Sequence, residues 1–317
     1  MSFAPVLALS ILLLATVSAV GAQHGQPAAG SHGTGEVAPG NVDIITPHIT
    51  DSHHMEVPYW KPPFYLEIPT WPEGWGELHI GSLDVTPTKH VWMLLIAATL
   101  CAITLVTAAR AHKRHSHKTG VPKGFAAGIE ATVLYMRNEV VLPNVGHHGE
   151  KFVPFILTLF FFILFANLLG LIPYGSTATG NISVTATLAI ITFLVIEFAG
   201  MRALGAGYLK TIVYWPHDQP LMMKLPMTLI MTPIEIIGKF TKPFALAIRL
   251  FANMTAGHIV VLALIGLIFT FASVFSAAPF LMAVAIMMLE LFVALLQAFI
   301  FALLASVFIG QIREGAH

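Results

Sequence analysis

Two apolar segments near the C-terminal end of this chain are too long for a lipid bilayer to accept upright. Residues 232–272 support about 61 Å of helix and residues 279–311 about 50 Å, at 1.5 Å per residue. The hydrocarbon layer is only about 30 Å thick. Each segment must tilt, bend or lie partly in the membrane plane, and Pro243 is a candidate bend. A short loop near residues 273–279 separates them, so residues 232–311 are expected to form an antiparallel helical hairpin. The composition agrees with a membrane setting: 56% of the 317 residues are hydrophobic and 10% charged, with mean hydropathy +0.79, whereas soluble domains carry about 25% charged residues. The chain is an integral membrane protein. Sixteen basic residues balance sixteen acidic ones, which implies no bulk attraction to nucleic acid.

The rest of the chain arranges itself around that hairpin. Residues 1–22 read as a secretory signal peptide, with an apolar core followed by the small residues Val20, Gly21 and Ala22; a retained anchor is the alternative. Residues 23–90 form an arm rich in Gly, Pro and His. Eight carboxylates lie between residues 23 and 88 against one base, Lys61. Tyr59, Trp60, Tyr65, Trp71 and Trp75 could lay part of the arm along the headgroup layer. The arm's histidines lack compact metal-ligand spacing, so neither a metal nor a cofactor is expected. Residues 91–317 are the membrane domain. Its first span, 91–109, is followed at once by Arg110, Lys113, Arg114 and Lys118, which by the positive-inside rule puts the acidic arm outside and that end in the cytoplasm. Residues 121–142 are too polar to span and read as an amphipathic surface helix. Spans at 152–173 and 182–203 follow, and then the hairpin, leaving the C-terminus cytoplasmic. The expected fold is an all-α membrane protein: about three membrane-spanning helices, an amphipathic surface helix and the long tilted hairpin. The single cysteine, Cys101, excludes an intrachain disulfide.

The hairpin carries an unusual set of polar residues. Arg249 lies midway along an apolar helix, where an arginine costs on the order of 3 kcal/mol and cannot escape by losing its proton. Glu235, Lys242 and Arg249 recur every seventh residue, within about 40° of one another around the helix, and Asn253 extends that stripe. His258 points about 180° away. In the second segment Glu290 and Gln297 share a face. One antiparallel register, to within about two residues, sets Arg249 opposite Gln297, His258 opposite Glu290 and Glu235 opposite Arg313, as the need of buried polar groups for partners demands. In that reading Gln297 hydrogen-bonds and orients Arg249, and His258 with Glu290 forms a carboxylate–imidazole proton relay. Plainer readings exist: a snorkelling arginine, a packing histidine, and solvated interfacial charges at Glu235, Lys242 and Glu197. A structural scaffold would need no Arg249 in mid-hairpin. A proton-coupled secondary transporter would use the same residue types but would often show internal repeats, and none is visible.

These residues match a known pattern. Lys242-Pro-Phe-Ala-Leu-Ala-Ile-Arg-Leu-Phe-Ala-Asn-Met-Thr-Ala-Gly-His258 resembles the signature of subunit a of F-type ATP synthases, and Leu296-Gln-Ala-Phe-Ile-Phe301 resembles the last helix of the same subunit. Pro233 with Glu235, the segment from Phe165 through Asn167 to Pro173, and Asn181-Ile-Ser-Val-Thr185 are similar too. The resemblance covers residues 88–312. It implies a non-catalytic, proton-translocating stator subunit of the Fo sector in a bacterial-type inner membrane. It also implies two half-channels serving a rotating ring of c subunits, with the peripheral-stalk b subunits and the rest of F1Fo as partners. Carried over by position, Arg249 is the arginine facing the ring, Gln297 and Asn253 are its neighbours, and His258 with Glu290 is the acid–imidazole pair of the entry side. Some members carry that pair in the opposite order, and many have Gly where Ala252 stands.

Overall fold

The computed structural model describes residues 54–56, 65–67, 79–80, 83–84, 89–116, 124–146, 149–172, 177–213, 221–271 and 274–314. The signal-peptide reading and most of the arm fall outside the described residues. Within the arm, two short antiparallel pairs join β1 (His54–Glu56) to β2 (Tyr65–Glu67) and β3 (His79–Ile80) to β4 (Leu83–Asp84). The sequence reading had no strands there.

The described membrane domain is helical throughout. It runs α1 (Lys89–Ser116), α2 (Phe125–Tyr135), a π-helical turn (Met136–Val141), α3 (Leu142–Val145), α4 (Val153–Gly170), α5 (Ile182–Leu204), α6 (Leu221–Phe271) and α7 (Ala277–Glu314). Five of these helices, α1, α4, α5, α6 and α7, are long and apolar enough to cross a membrane. The three expected spans thus stand as α1, α4 and α5, with ends shifted by a few residues. The helices of the hairpin are longer than expected. Helix α6 holds 51 residues and passes through Pro226, Pro233 and Pro243 without interruption, and α7 holds 38. At 1.5 Å per residue these are roughly 76 Å and 57 Å.

The expected surface helix has two different halves. Helix α2 buries nothing, and Phe125 stands in the open. Beyond it the backbone widens into the π turn ahead of Pro143, a residue with no N–H to offer an α-helical ladder. There Met136, Val140, Val141 and Val145 turn inward and pack against α7 and α4. The second half is therefore part of the core.

Helix α7 is the axis of the domain because one of its faces is small. Ala294, Ala298, Ala302, Ala305 and Ser306 are all fully buried, and side chains of that size let neighbouring backbones approach closely where lipid gives no hydrophobic drive. Helices α4, α5 and α6 all pack on α7. Helix α4 is the best enclosed, with 67% of its most apolar stretch buried, whereas for α6 the figure is 11%. Most of the outer face of α6 therefore meets whatever surrounds the subunit. At the other end of α7, Gly310 sits against the backbone carbonyl of Asn144 with no room for a methyl group. Gly310→Ala should destabilise the domain by about 1–3 kcal/mol through overpacking against a backbone that cannot yield. Thermal melting of the purified protein checks this, and an unchanged melting temperature contradicts it.

Candidate functional site

At the loop end of the hairpin, polar side chains from four elements converge. Helix α4 ends at Gly170, a 3-10 turn (Ala178–Gly180) follows, and Asn181 caps α5 by accepting a 2.9 Å hydrogen bond from the Ser183 amide. Asn167, fully buried on α4, accepts a 2.7 Å hydrogen bond from Thr179 and donates at 3.3 Å to the carbonyl of Ala294 on α7. Thr255 on α6 donates to the carbonyl of Gly180 at 3.3 Å. The 178–180 turn is thus tied to α4, α6 and α7. Asn167 and Asn181 hold the frame.

His258 lies against this frame. Its Nε2 is 2.8 Å from the Gly170 carbonyl oxygen and 2.5 Å from Thr177 Oγ1. A carbonyl can only accept, so Nε2 carries the proton and, in the neutral ring, Nδ1 holds the lone pair. Nδ1 faces Glu290 Oε1 on α7 at 4.0 Å. That is an ion-pair distance but longer than a hydrogen bond, so a proton crosses only if the two groups close by about 1 Å or a water joins them. Glu290 reaches this position because Gly257 has no side chain: a Cβ there would collide with the Glu290 carboxylate. The expected opposition of His258 and Glu290 is present.

Arg249 and Asn253, about two and a half and one and a half turns nearer the middle of α6, are exposed on its outer face. Arg249 makes no hydrogen bond or ion pair with any described residue. Gln297 is buried at 5% exposure, and the expected hydrogen bond between it and Arg249 does not form. The physical reason is rotation about the helix axis: the seven-residue stripe that carries Arg249 faces outward, while Gln297 lies in the small-residue seam of α7.

Toward the open end of the hairpin the register reading fails further. On the His258–Glu290 register Lys242 would face Ser306, yet its Nζ donates to Gln311 Oε1 at 3.2 Å and sits 5.0 Å from the Phe308 ring centre. Helical side chains lean toward the N-terminus of their own helix, and a lysine stem reaches far in that direction. Arg313 does not pair with Glu235: it donates to the Val145 carbonyl at 3.0 Å and covers the Phe152 ring. The Glu235 carboxylate is exposed.

Lys239, absent from the candidate residues named above, completes this end. Lys239 Nζ lies 3.5 Å from Glu197 Oε2 on α5 and donates to Tyr208 Oη at 3.3 Å and Thr211 Oγ1 at 3.2 Å. Glu197 therefore serves as the largely buried partner of Lys239 and is not a solvated interfacial charge. A signal was present: Lys239 is four residues from Glu235 and three from Lys242, next to the polar stripe on the helix surface. Thr211, Glu197, Glu235, Lys239, Lys242 and Gln311 line a cavity of about 80 Å³. Thr177 carries no comparable sequence signal, being one hydroxyl among several neighbouring polar residues.

Fold and site together define a multi-pass helical membrane protein whose ionisable side chains gather at both ends of a long hairpin, with one arginine exposed between them. Residues 90–310 match the family described as ATP synthase A chain. The chain is 44% identical over 300 residues to ATP synthase subunit a 2 of Chlorobaculum tepidum, spanning 93% of this chain and 79% of that protein. It is 42% identical over 313 residues to ATP synthase subunit a of Chloroherpeton thalassium, with 94% and 88% covered. Identity to the subunit a of Anaeromyxobacter dehalogenans is 42% over 305 residues, covering 92% and 75%. The chain belongs to the ATP synthase subunit a family.

The Lys239–Glu197 pair yields a stability prediction. Lys239→Met strands a mostly buried carboxylate and should destabilise the protein by roughly 2–3 kcal/mol, whereas Lys239→Met with Glu197→Leu should recover most of that loss. Detergent-denaturant titration of both variants checks it; equal stability of the single and double variants contradicts the pairing.

Proposed function

We propose that Arg249 is the fixed charge past which the carboxylates of the c-subunit ring move, and that the two polar assemblies on either side of it are the inner ends of separate proton paths. As a member of its family the chain is the proton-channel stator subunit of the Fo sector of ATP synthase, an integral, multi-pass membrane protein of the F1Fo complex. One observation carries the reading of Arg249. Its guanidinium is exposed on the outer face of α6, among Phe244, Ile248 and other exposed apolar side chains, and no described residue of its own chain answers it. In a membrane such a charge requires a partner from outside the chain, and a mobile carboxylate is the partner the family supplies. A secondary transporter would turn its charges toward the interior of its own bundle.

The two paths follow from position along α6. His258 lies about 14 Å from Arg249 along the helix axis, and Lys242 about 10 Å in the opposite direction. At the His258 end, on the extracytoplasmic side, a proton taken by Glu290 passes to Nδ1 of His258 or directly onward to the ring. At the other end the cavity beside Glu235, Lys239 and Lys242 opens toward the cytoplasm, where Lys242 stabilises a carboxylate that has released its proton. Arg249 keeps the two paths apart, because it attracts an ionised carboxylate yet cannot relay a proton. Each charge that crosses gains about 2.3 kcal/mol per 100 mV, which the ring converts to torque. The subunit itself catalyses no bond change. It works with the c ring and the peripheral-stalk b subunits in a bacterial-type inner membrane, with the N-terminal arm outside and the C-terminus in the cytoplasm.

Arg249→Ala should abolish proton-driven ATP synthesis in inverted membrane vesicles while the complex still assembles; retained synthesis contradicts the assignment. Thr177→Val removes the hydroxyl that holds the His258 ring and should alter the pH profile of proton pumping, with Thr177→Ser restoring it. A pH profile identical to wild type in Thr177→Val would refute the role given to the His258 tautomer.

A further inference from the structure

A second cavity, of about 950 Å³, opens along α5 beside the Lys239–Glu197 pair, between the start of α4 and the ends of α5 and α7, and Glu197 borders it. Its volume lies within the range of ligand-binding clefts. Lys151, Arg202 and Arg313 line it, so the three helix ends deliver three cations to one opening. Among the lining residues the one carboxylate is Glu197, and that group is already matched by Lys239 at 3.5 Å. The nearby Glu150 is likewise matched by Arg137 at 2.7 Å. The cavity is therefore positive at its polar end. Its remaining wall is apolar: Leu194, Phe198 and Met201 follow one face of α5 at helical spacing and are 56%, 61% and 46% exposed. Arg313 is held toward the opening by the Val145 carbonyl and the Phe152 ring.

We infer that this cavity binds the headgroup of an anionic phospholipid of the cytoplasmic leaflet, with its acyl chains lying along Leu194 and Phe198 of α5. The chemistry fits both parts of such a molecule. A phosphodiester is met by two guanidinium groups and an ammonium, and a basic pocket between helices at the cytoplasmic side is a recognised form of lipid site. The apolar stripe leads from the cations toward the membrane interior, as a lipid requires and a soluble phosphate does not. Neither Arg249 nor the His258–Glu290 pair takes part.

The test uses the whole purified ATP synthase in zwitterionic phosphatidylcholine nanodiscs, given phosphatidylglycerol with a photoactivatable diazirine in its acyl chain. Labelling should fall on α5 around Leu194 and Phe198. Unlabelled phosphatidylglycerol should compete it away, and added phosphatidylcholine or inorganic phosphate should not. Lys151→Gln and Arg202→Gln should each weaken apparent binding about fivefold, in line with one surface charge each, while Lys151→Arg with Arg202→Lys should retain it. Equal competition by phosphatidylcholine would overturn the inference, as would labelling that ignores both Lys151→Gln and Arg202→Gln. Cross-linking of the same α5 residues to another subunit of the complex would overturn it too, by showing that protein covers the cavity.

Discussion

A guanidinium that cannot be neutralised, held on the outer face of the longest helix, is the constraint to which the rest of this structure answers. Arg249 has no counter-charge among the described residues, so the chain is electrostatically incomplete in a membrane. The surrounding architecture keeps that charge presented and undistorted. Helix α6 is little buried, yet it is pinned on both sides of Arg249. Toward the loop end, Thr255 bonds the 178–180 turn and His258 the Gly170 carbonyl. Toward the open end, Lys239 bonds α5 and the turn after it, and Lys242 bonds Gln311 of α7.

These pins are also the candidate proton-handling groups, which ties mechanics to chemistry. His258 is oriented by the contact that fixes its tautomer, so its Nδ1 faces Glu290. Glycine makes that approach possible at Gly257, where any side chain would displace the carboxylate. At the other end the same economy appears in reverse. Lys239 neutralises Glu197, which leaves Glu235 and Lys242 as the cavity's charged groups without an ion pair of their own among the described residues. The Lys239–Glu197 pair also separates two cavities of different character, one narrow and mixed in charge, the other wide, basic and apolar.

Much of this was legible in the sequence. Span positions follow from hydropathy and length, which act locally, and α1, α4, α5 and the hairpin lie where composition put them. The His258–Glu290 opposition was also readable, because seven-residue spacing and an antiparallel fold leave few registers. What could not be read depends on how helices rotate against one another. Gln297 and Arg249 sit at nearly one level yet face different ways, since the alanine seam of α7 draws Gln297 inward. The Lys239–Glu197 pair joins residues far apart in sequence through a rotation of α5 that no local pattern records. Helix α6 begins earlier than expected because Pro226 and Pro233 are carried inside it, against the usual preference of proline for helix starts.

The central claim is that Arg249 and Asn253 face the c ring. Disulfide cross-linking in the assembled complex tests it most directly, between Asn253→Cys and a cysteine placed one helical turn from the ring subunit's carboxylate. The account predicts a subunit a–subunit c cross-link at Asn253→Cys and none at Leu250→Cys, which is buried inside the domain. Cross-linking of Asn253→Cys to any other subunit, or no cross-link to the ring at all, would contradict it.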